Sequence, residues 1–204
     1  MNVSELLDQL RTWSPSEITA VIFAILYLLL AIRENIWCWF CAGVSTAIYI
    51  YVYFDAKLYM ESLLNVFYFG MAIYGWHVWS SGKGPGDTIA VTTWALRTHV
   101  IALCSIAVLV LLSGFLLSTY TDAAFPYIDS ATTFAAIWAT FLIARKVLEN
   151  WWYWLVIDVV SIFIYWSRGL ELTSVLFALY VVMIPFGLVS WSKSMHQQRQ
   201  SALV

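Results

Sequence analysis

The sequence predicts an all-α polytopic membrane protein with seven transmembrane helices. Of its 204 residues, 62% are hydrophobic and only 11% are charged. So few charges cannot cover a water-soluble protein of this size, so lipid must solvate most of the surface. Seven apolar runs each approach the roughly 20 residues that cross the hydrocarbon core of a bilayer. The net charge of −2 argues against nucleic acid as a partner.

The first three runs are joined by tight loops. Residues 1–14 have an amphipathic pattern typical of a segment at the membrane surface. Ser14 and Glu17 have capping-box spacing around Pro15, so a helix should begin at residue 15. Residues 15–79 form the first predicted three-helix repeat, with apolar runs at 18–32, 36–54 and 58–79.

The strongest loop signal follows at residues 80–97, which begin with a stretch dense in Gly and Pro and form the predicted cytoplasmic linker. Residues 98–117 are a connecting helix with no charged residue, which we expect to face lipid. Residues 118–191 form the second three-helix repeat, with runs at 130–147, 151–166 and 170–191. Pro185 removes a backbone donor and should kink the last run. Residues 192–204 are predicted to be a solvated cytoplasmic tail.

Two sequence patterns indicate an internal repeat. Glu34-Asn35 followed by aromatic residues recurs as Glu149-Asn150 followed by aromatic residues, at an offset of 115 residues. Further on, Trp79 matches Trp191 at an offset of 112, and Gly75 matches Gly187. With one helix between the copies, the sequence predicts a parallel 3+1+3 arrangement, a transporter plan with the substrate site at the repeat interface near the middle of the membrane.

At the 115-residue offset, Trp151 matches Ile36 and Asp158 matches Gly43. We therefore expect an asymmetric site located in the second repeat. Positive charge predicts the orientation, because Lys and Arg are enriched on the cytoplasmic side. The loops after odd-numbered helices and the tail hold most of these residues, which places the N-terminus outside and the C-terminus in the cytoplasm.

The candidate site is one face of the sixth apolar run. At about 100° per residue, Trp151, Trp154 and Asp158 fall within about 60° of one another. An isolated Trp is typical of a membrane interface, but an acid inside a membrane helix is costly and usually functional. The next polar groups able to orient a ligand are Asn65 and Asp129. Asn65 is also compatible with a hydrogen bond to a neighbouring helix, and Asp129 with helix capping.

Other polar residues suggest structural roles. Glu34 and Glu149 recur beside basic residues, which favours salt bridges in the loops. Cys38 and Cys41 form a C-x-x-C pair, but no second pair or His cluster completes a metal site. The sequence therefore predicts no metal and no cofactor.

Three blocks carry a resemblance to the PnuC vitamin transporters, a family related in architecture to the SWEET sugar transporters. They are residues 58–76, residues 125–130, and residues 145–154 with the pattern W-x-x-W-x-x-x-N/D that continues to Asp158. The resemblance covers nearly the whole chain. It implies a SWEET-like fold and a homotrimer that takes up nicotinamide riboside across the bacterial inner membrane by facilitated diffusion. The chain departs from the family at Asn65, where we expect Gln.

The chemistry of the face agrees with such a ligand, because indoles attract a flat cationic ring and Asp158 can neutralise it. Thiamine is also an aromatic cation, so a transporter for thiamine, another vitamin or a nucleoside is the alternative. An intramembrane enzyme would need a nucleophile with its base or a metal cluster, and a retinal-binding receptor would need a Lys in the last run. Neither pattern is present, so we expect a protein that is not an enzyme.

Overall fold

The computed structural model describes residues 14–55, 59–82, 89–121, 125–167, 169 and 171–201. These residues form seven α-helices, as the sequence predicts. They are α1 (Pro15–Ile32), α2 (Trp37–Asp55), α3 (Tyr59–Ser80), α4 (Leu96–Tyr120), α5 (Pro126–Ala144), α6 (Asn150–Ser167) and α7 (Glu171–Ser201). Of the predicted surface segment, residues 1–13 lie outside the described residues, as do residues 83–88 of the predicted linker.

Five of the helices are long and apolar enough to cross a membrane, namely α1, α2, α4, α5 and α7. The remaining two, α3 and α6, are rich in Trp and Tyr and carry Asn65 and Asp158, which lowers their apolar character. Several membrane-spanning helices in one chain make this a multi-pass membrane protein.

Local signals explain where several helices begin and end. The predicted capping box at α1 is confirmed, because the Glu17 N–H donates to Ser14 Oγ and the Ser14 N–H donates to Glu17 Oε2 over 2.7 Å. Helix α5 begins at Pro126, four residues before the predicted start, since proline suits the first helical position. It ends at Ala144, before Lys146 turns to a φ of 49°.

Helix α7 extends further than the sequence suggested. It continues through Pro185 to Ser201, so most of the predicted solvated tail is helical. The segment after Trp191 contains no Gly or Pro to end a helix, and it makes contacts of its own. Met195 is buried, and the Gln198 side chain accepts a hydrogen bond from the Val91 N–H over 3.1 Å.

The chain divides into two compact units. The first contains α1, α2 and α3, residues 144–146 and the part of α7 that begins at Pro185. Its core is built around buried tryptophans. Trp39 of α2 lies against Gly75 of α3, where any side chain would overlap the indole ring. Trp39 in turn packs edge-on against Trp79, with ring centroids 5.6 Å apart.

The second unit contains α4, α5, α6 and α7 up to Ile184. Its buried cluster is formed by Ala136 and Ala139 of α5 and Ile157 of α6. Most large apolar side chains of α4 are exposed, consistent with the expected contact with lipid, whereas His99 and Gly114 of this helix are buried. A side chain at Gly114 would overlap the Tyr127 ring, so α4 and α5 approach closely there.

One hydrogen bond occurs in both units at the same spacing. In the first unit Ser62 Oγ donates to the Ile50 carbonyl over 2.9 Å. In the second unit Ser174 Oγ donates to the Ile162 carbonyl over 3.0 Å. Donor and acceptor are both displaced by 112 residues.

For the second helix of the predicted repeat, that spacing favours a register different from the expected one. At an offset of 112 rather than 115 residues, Trp151 corresponds to Trp39 and Asp158 to Thr46, not to Ile36 and Gly43. Trp39 is 2% exposed and Trp151 is fully buried, so both positions hold a buried indole. Thr46 carries no charge, so an asymmetric site at Asp158 stays a prediction.

Candidate functional site

The start of α6 is fixed by a tight turn after α5. The N–H groups of Trp151 and Trp152 donate to the carbonyls of Leu148 and Glu149, three residues back. Asn150 is fully buried, and its Nδ2 donates to the Val147 carbonyl over 2.6 Å. These bonds satisfy donors that a helix N-terminus leaves unpaired, and they hold the aromatic segment in register.

The three residues predicted on one face of α6 differ in burial. Trp151 is fully buried, Asp158 is 4% exposed and Trp154 is half-buried. Trp154 packs with Tyr153 against the cluster of Ala136, Ala139 and Ile157. The small alanine side chains of α5 leave room for these rings. The half-buried indole of Trp154 is therefore the part of this face that a ligand can reach without repacking of the core.

Asp158 is a buried acidic residue of the second unit. Among the described residues, no hydrogen bond or ion pair reaches its carboxylate, whereas the buried hydroxyls of Ser45, Thr140 and Ser174 donate to backbone carbonyls. Buried carboxylates in membrane helices are almost always paired, because an isolated charge is costly there. This carboxylate is therefore suited to a ligand that brings a positive charge or hydroxyl donors.

Asp129 lies in the first turn of α5, half-buried, with its own N–H bonded to the Phe125 carbonyl. Because α5 begins at Pro126, Asp129 lies inside the helix and is not its N-cap, contrary to the capping alternative. An acid in the first turn is favoured by the helix dipole.

Asn65 belongs to the first unit, on α3. Its Nδ2 donates to the Glu61 carbonyl of the same helix over 2.9 Å, rather than to a neighbouring helix. The predicted site residues thus comprise four in the second unit, of which three lie on α6, and one in the first.

A residue that the sequence did not single out for the site is Tyr153. Its hydroxyl lies 3.0 Å from His99 Nδ1, which ties α6 to the start of α4. His99 is 8% exposed, so its imidazole is buried. The sequence does show a polar imidazole, His99, one turn inside an otherwise apolar helix. Its partner Tyr153 lies 54 residues away, so no local pattern in the sequence reveals the contact.

The two acidic residues of the loops, Glu34 and Glu149, have different partners. Glu34 forms the predicted salt bridge, with Lys146 Nζ 2.7 Å from its Oε2. Glu149 instead accepts a hydrogen bond from the Trp94 backbone N–H over 3.4 Å.

Comparison with known proteins identifies relatives along nearly the whole chain. A family described as "Nicotinamide mononucleotide transporter" matches residues 14–193. The nicotinamide riboside transporter PnuC of Escherichia coli is 25% identical, over 92% of this chain and 89% of the relative. The riboflavin/roseoflavin transporter RibM of Streptomyces davaonensis is 24% identical, over 91% of this chain and 87% of the relative.

A solved structure has a similar fold. The crystal structure of the vitamin B3 transporter PnuC superposes with a TM-score of 0.70 at 20% identity, covering 89% of this chain and 82% of that one. At this identity the superposition establishes the fold alone.

Proposed function

Because this chain belongs to the nicotinamide mononucleotide transporter family, we propose that it carries nicotinamide riboside across the bacterial inner membrane. The relatives it resembles are transporters, and this chain is likewise a membrane transporter and not an enzyme. The resemblance to the PnuC family seen in the sequence is confirmed by the family match.

The observation that carries the choice of substrate is the burial of Asp158 without a partner among the described residues. Nicotinamide riboside joins a cationic pyridinium ring to a ribose with several hydroxyls. A carboxylate in a membrane helix matches both parts, because it neutralises the ring and accepts hydrogen bonds from the hydroxyls. An uncharged ligand would leave the carboxylate without a counter-charge.

The indoles of the same face supply the remaining recognition. A cation over an indole face contributes about 0.5–2 kcal/mol, with the larger values where water is excluded. Trp154 is half-buried and offers its ring to such a contact, while the fully buried Trp151 shapes the wall behind it. We assign Asn65 and Asp129 supporting roles in orienting the ribose.

Thiamine and riboflavin are the competing substrates. Thiamine is also an aromatic cation, so the charge of Asp158 does not discriminate against it. Riboflavin is named for the Streptomyces relative, but its isoalloxazine is uncharged at neutral pH and gives Asp158 no counter-ion. The geometry therefore favours a cationic vitamin over a neutral one.

We further propose that transport is facilitated diffusion through alternating movement of two parallel three-helix repeats joined by α4. The equivalent bonds of Ser62 and Ser174, displaced by 112 residues, support a duplicated unit. A homotrimer with its N-terminus outside completes the proposal. Light scattering of the detergent-purified protein, corrected for bound detergent, tests the trimer, and protease cleavage of a C-terminal tag in sealed vesicles tests the orientation.

The test of the substrate is a titration of the purified protein with nicotinamide riboside, thiamine and riboflavin. The chain has 12 tryptophans, so quenching of their fluorescence reports binding, and calorimetry confirms it. We expect saturable binding of nicotinamide riboside. Binding of thiamine alone would keep the aromatic-cation chemistry but change the substrate, and binding of riboflavin alone would contradict the role given to Asp158.

A further inference from the structure

We infer that Glu34, Lys146, Trp79 and Trp191 form a gate of the transport cycle, which closes one end of the first unit and must separate for that end to open. We call these four residues the gate cluster. The inference rests on the proposed transport function, and it adds residues that the substrate site does not include.

The centre of the gate cluster is a buried ion pair. Lys146 has no exposed surface, and its Nζ lies 2.7 Å from Glu34 Oε2, whose side chain is 15% exposed. The same ammonium lies over the Trp79 ring, 4.6 Å from its centroid. Burial lowers the pKa of Lys146, although the hydrogen bond and charge of Glu34 act in the opposite direction. The ammonium thus contacts the Glu34 carboxylate and the face of the Trp79 indole.

The two tryptophans bind the ends of two other helices in a reciprocal way. Trp79, at the end of α3, donates its indole N–H to the Ala144 carbonyl at the end of α5 over 3.1 Å. Trp191 of α7 donates to the Ala31 carbonyl at the end of α1 over 2.9 Å. Both indoles are fully buried, and their centroids are 6.2 Å apart. Both carbonyls lie in the last turns of helices, and that of Ala31 also accepts the Glu34 N–H over 3.0 Å.

The backbone is shaped to bring the charges together. Glu34 and Lys146 are the non-glycine residues with positive φ in the described chain, at 55° and 49°. Each follows the end of a helix, and equivalent bonds close the two turns, from Asn35 N to the Leu30 carbonyl and from Val147 N to the Leu142 carbonyl. Side chains disfavour this left-handed region. Glycine would satisfy both turns, so the two charged side chains point to a role beyond ending a helix.

An ion pair suits a contact that opens and closes. Burying two charges costs nearly as much as their attraction returns, so a buried pair contributes little more than an apolar contact of the same size. When the end opens, water hydrates both groups and recovers the cost of desolvation. An apolar contact in the same place would expose its surface to water at each opening, and this exposure costs free energy. The gate cluster therefore has two states of similar free energy, as a transporter that works without an energy source requires.

The three cysteines of the chain provide a built-in reporter. Cys38, near the start of α2, is fully buried, and it remains as the only thiol after Cys41→Ala and Cys104→Ala. In this parent, reaction of Cys38 with N-ethylmaleimide should be slow. We expect Glu34→Gln to raise the rate by about tenfold or more, because it removes the carboxylate that lies 2.7 Å from the buried ammonium. Lys146→Met should raise the rate less, because it also removes a positive charge that interacts with the Cys38 thiol. Lys146→Arg keeps the charge and should stay close to the parent.

The matched control is Lys193→Met, which removes an exposed lysine from α7 of the same unit. Trp79→Phe removes the indole N–H together with one of the two fused rings, and it replaces the charge variants if they cannot be purified. Equal rates in the parent and the gate variants would overturn the inference, and so would equal acceleration by Lys193→Met.

A second measurement separates a gate from a fixed structural contact. In the parent, saturating nicotinamide riboside should change the rate of Cys38 reaction by about threefold or more, because the ligand shifts the balance of open and closed states. Binding seen by calorimetry with no change in the rate would overturn the gate while leaving the proposed function intact. Failure to bind the riboside would contradict the proposed function, whereas the variant rates, measured without substrate, would still decide the gate.

Discussion

Asp158 and Trp154 are the two residues on which the account of the ligand depends. The carboxylate is buried in α6 with no partner among the described residues, and the indole packs against the alanines of α5 with part of its ring exposed. The face that joins them was predictable, because helical periodicity is local. The difference between the two indoles was not, because the burial of Trp151 depends on neighbours distant in sequence.

Trp154→Ala should weaken binding of nicotinamide riboside by about tenfold or more, because one stacked aromatic ring contributes about 1–3 kcal/mol to the binding free energy. Calorimetry of the purified protein measures the change. The matched control is Trp152→Ala on the same helix, because Trp152 is 56% exposed and lies off the predicted face. Similar loss in both variants would mean that α6 tolerates no truncation, and unchanged affinity in both would place the site elsewhere.

Asp158→Asn keeps the shape of the side chain and removes its charge. Affinity for the cationic riboside should fall about tenfold or more, because a hydrogen bond to a charged group contributes about 1.5–3 kcal/mol. Asp55→Asn, at the exposed end of α2, should leave the affinity unchanged. A variant that binds the riboside as tightly as the parent would show that the carboxylate does not pair with the ring.

At the scale of helices, the sequence predicted what local chemistry decides. The capping box at Ser14 begins α1 as expected, and the seven apolar runs became seven helices. The start of α5 and the end of α7 differ from the prediction, because Pro126 occupies a first helical position and Gln198 makes a contact with a residue distant in sequence. The close packing of α2 against α3 at Gly75 could not be predicted either, because it depends on Trp39, which is distant in sequence.

Gly75→Ala should lower the midpoint of thermal unfolding by about 3 °C or more, because overpacking a core costs about 1–3 kcal/mol. The new side chain would overlap Trp39, which is 2% exposed and cannot move aside. Gly70→Ala on the same helix meets nothing within 4 Å and should be neutral or stabilising, since Ala favours helix over Gly. Thermal unfolding in detergent, followed by loss of the monodisperse peak, compares the two. Equal midpoints would contradict the packing described for α2 and α3.

At the scale of the whole molecule, the internal repeat stays a prediction, and the sequence and the hydrogen bonds favour different registers for it. The motif at Glu34 and Glu149 suggested 115 residues, whereas the hydrogen bonds of Ser62 and Ser174 are 112 residues apart. Glu34 pairs with Lys146, which is also 112 residues away, so no local pattern in the sequence identifies this partner. Contacts between distant segments are set by tertiary packing, which periodicity does not report.

The central claim, that this protein moves nicotinamide riboside passively, is tested most directly by the uptake of radiolabelled riboside into liposomes that contain the purified protein. We predict saturable uptake that stops when the internal and external concentrations are equal and that is unchanged by proton or sodium ionophores. Uptake no faster than in protein-free liposomes would contradict the substrate. Accumulation above the external concentration that collapses with an ionophore would contradict facilitated diffusion.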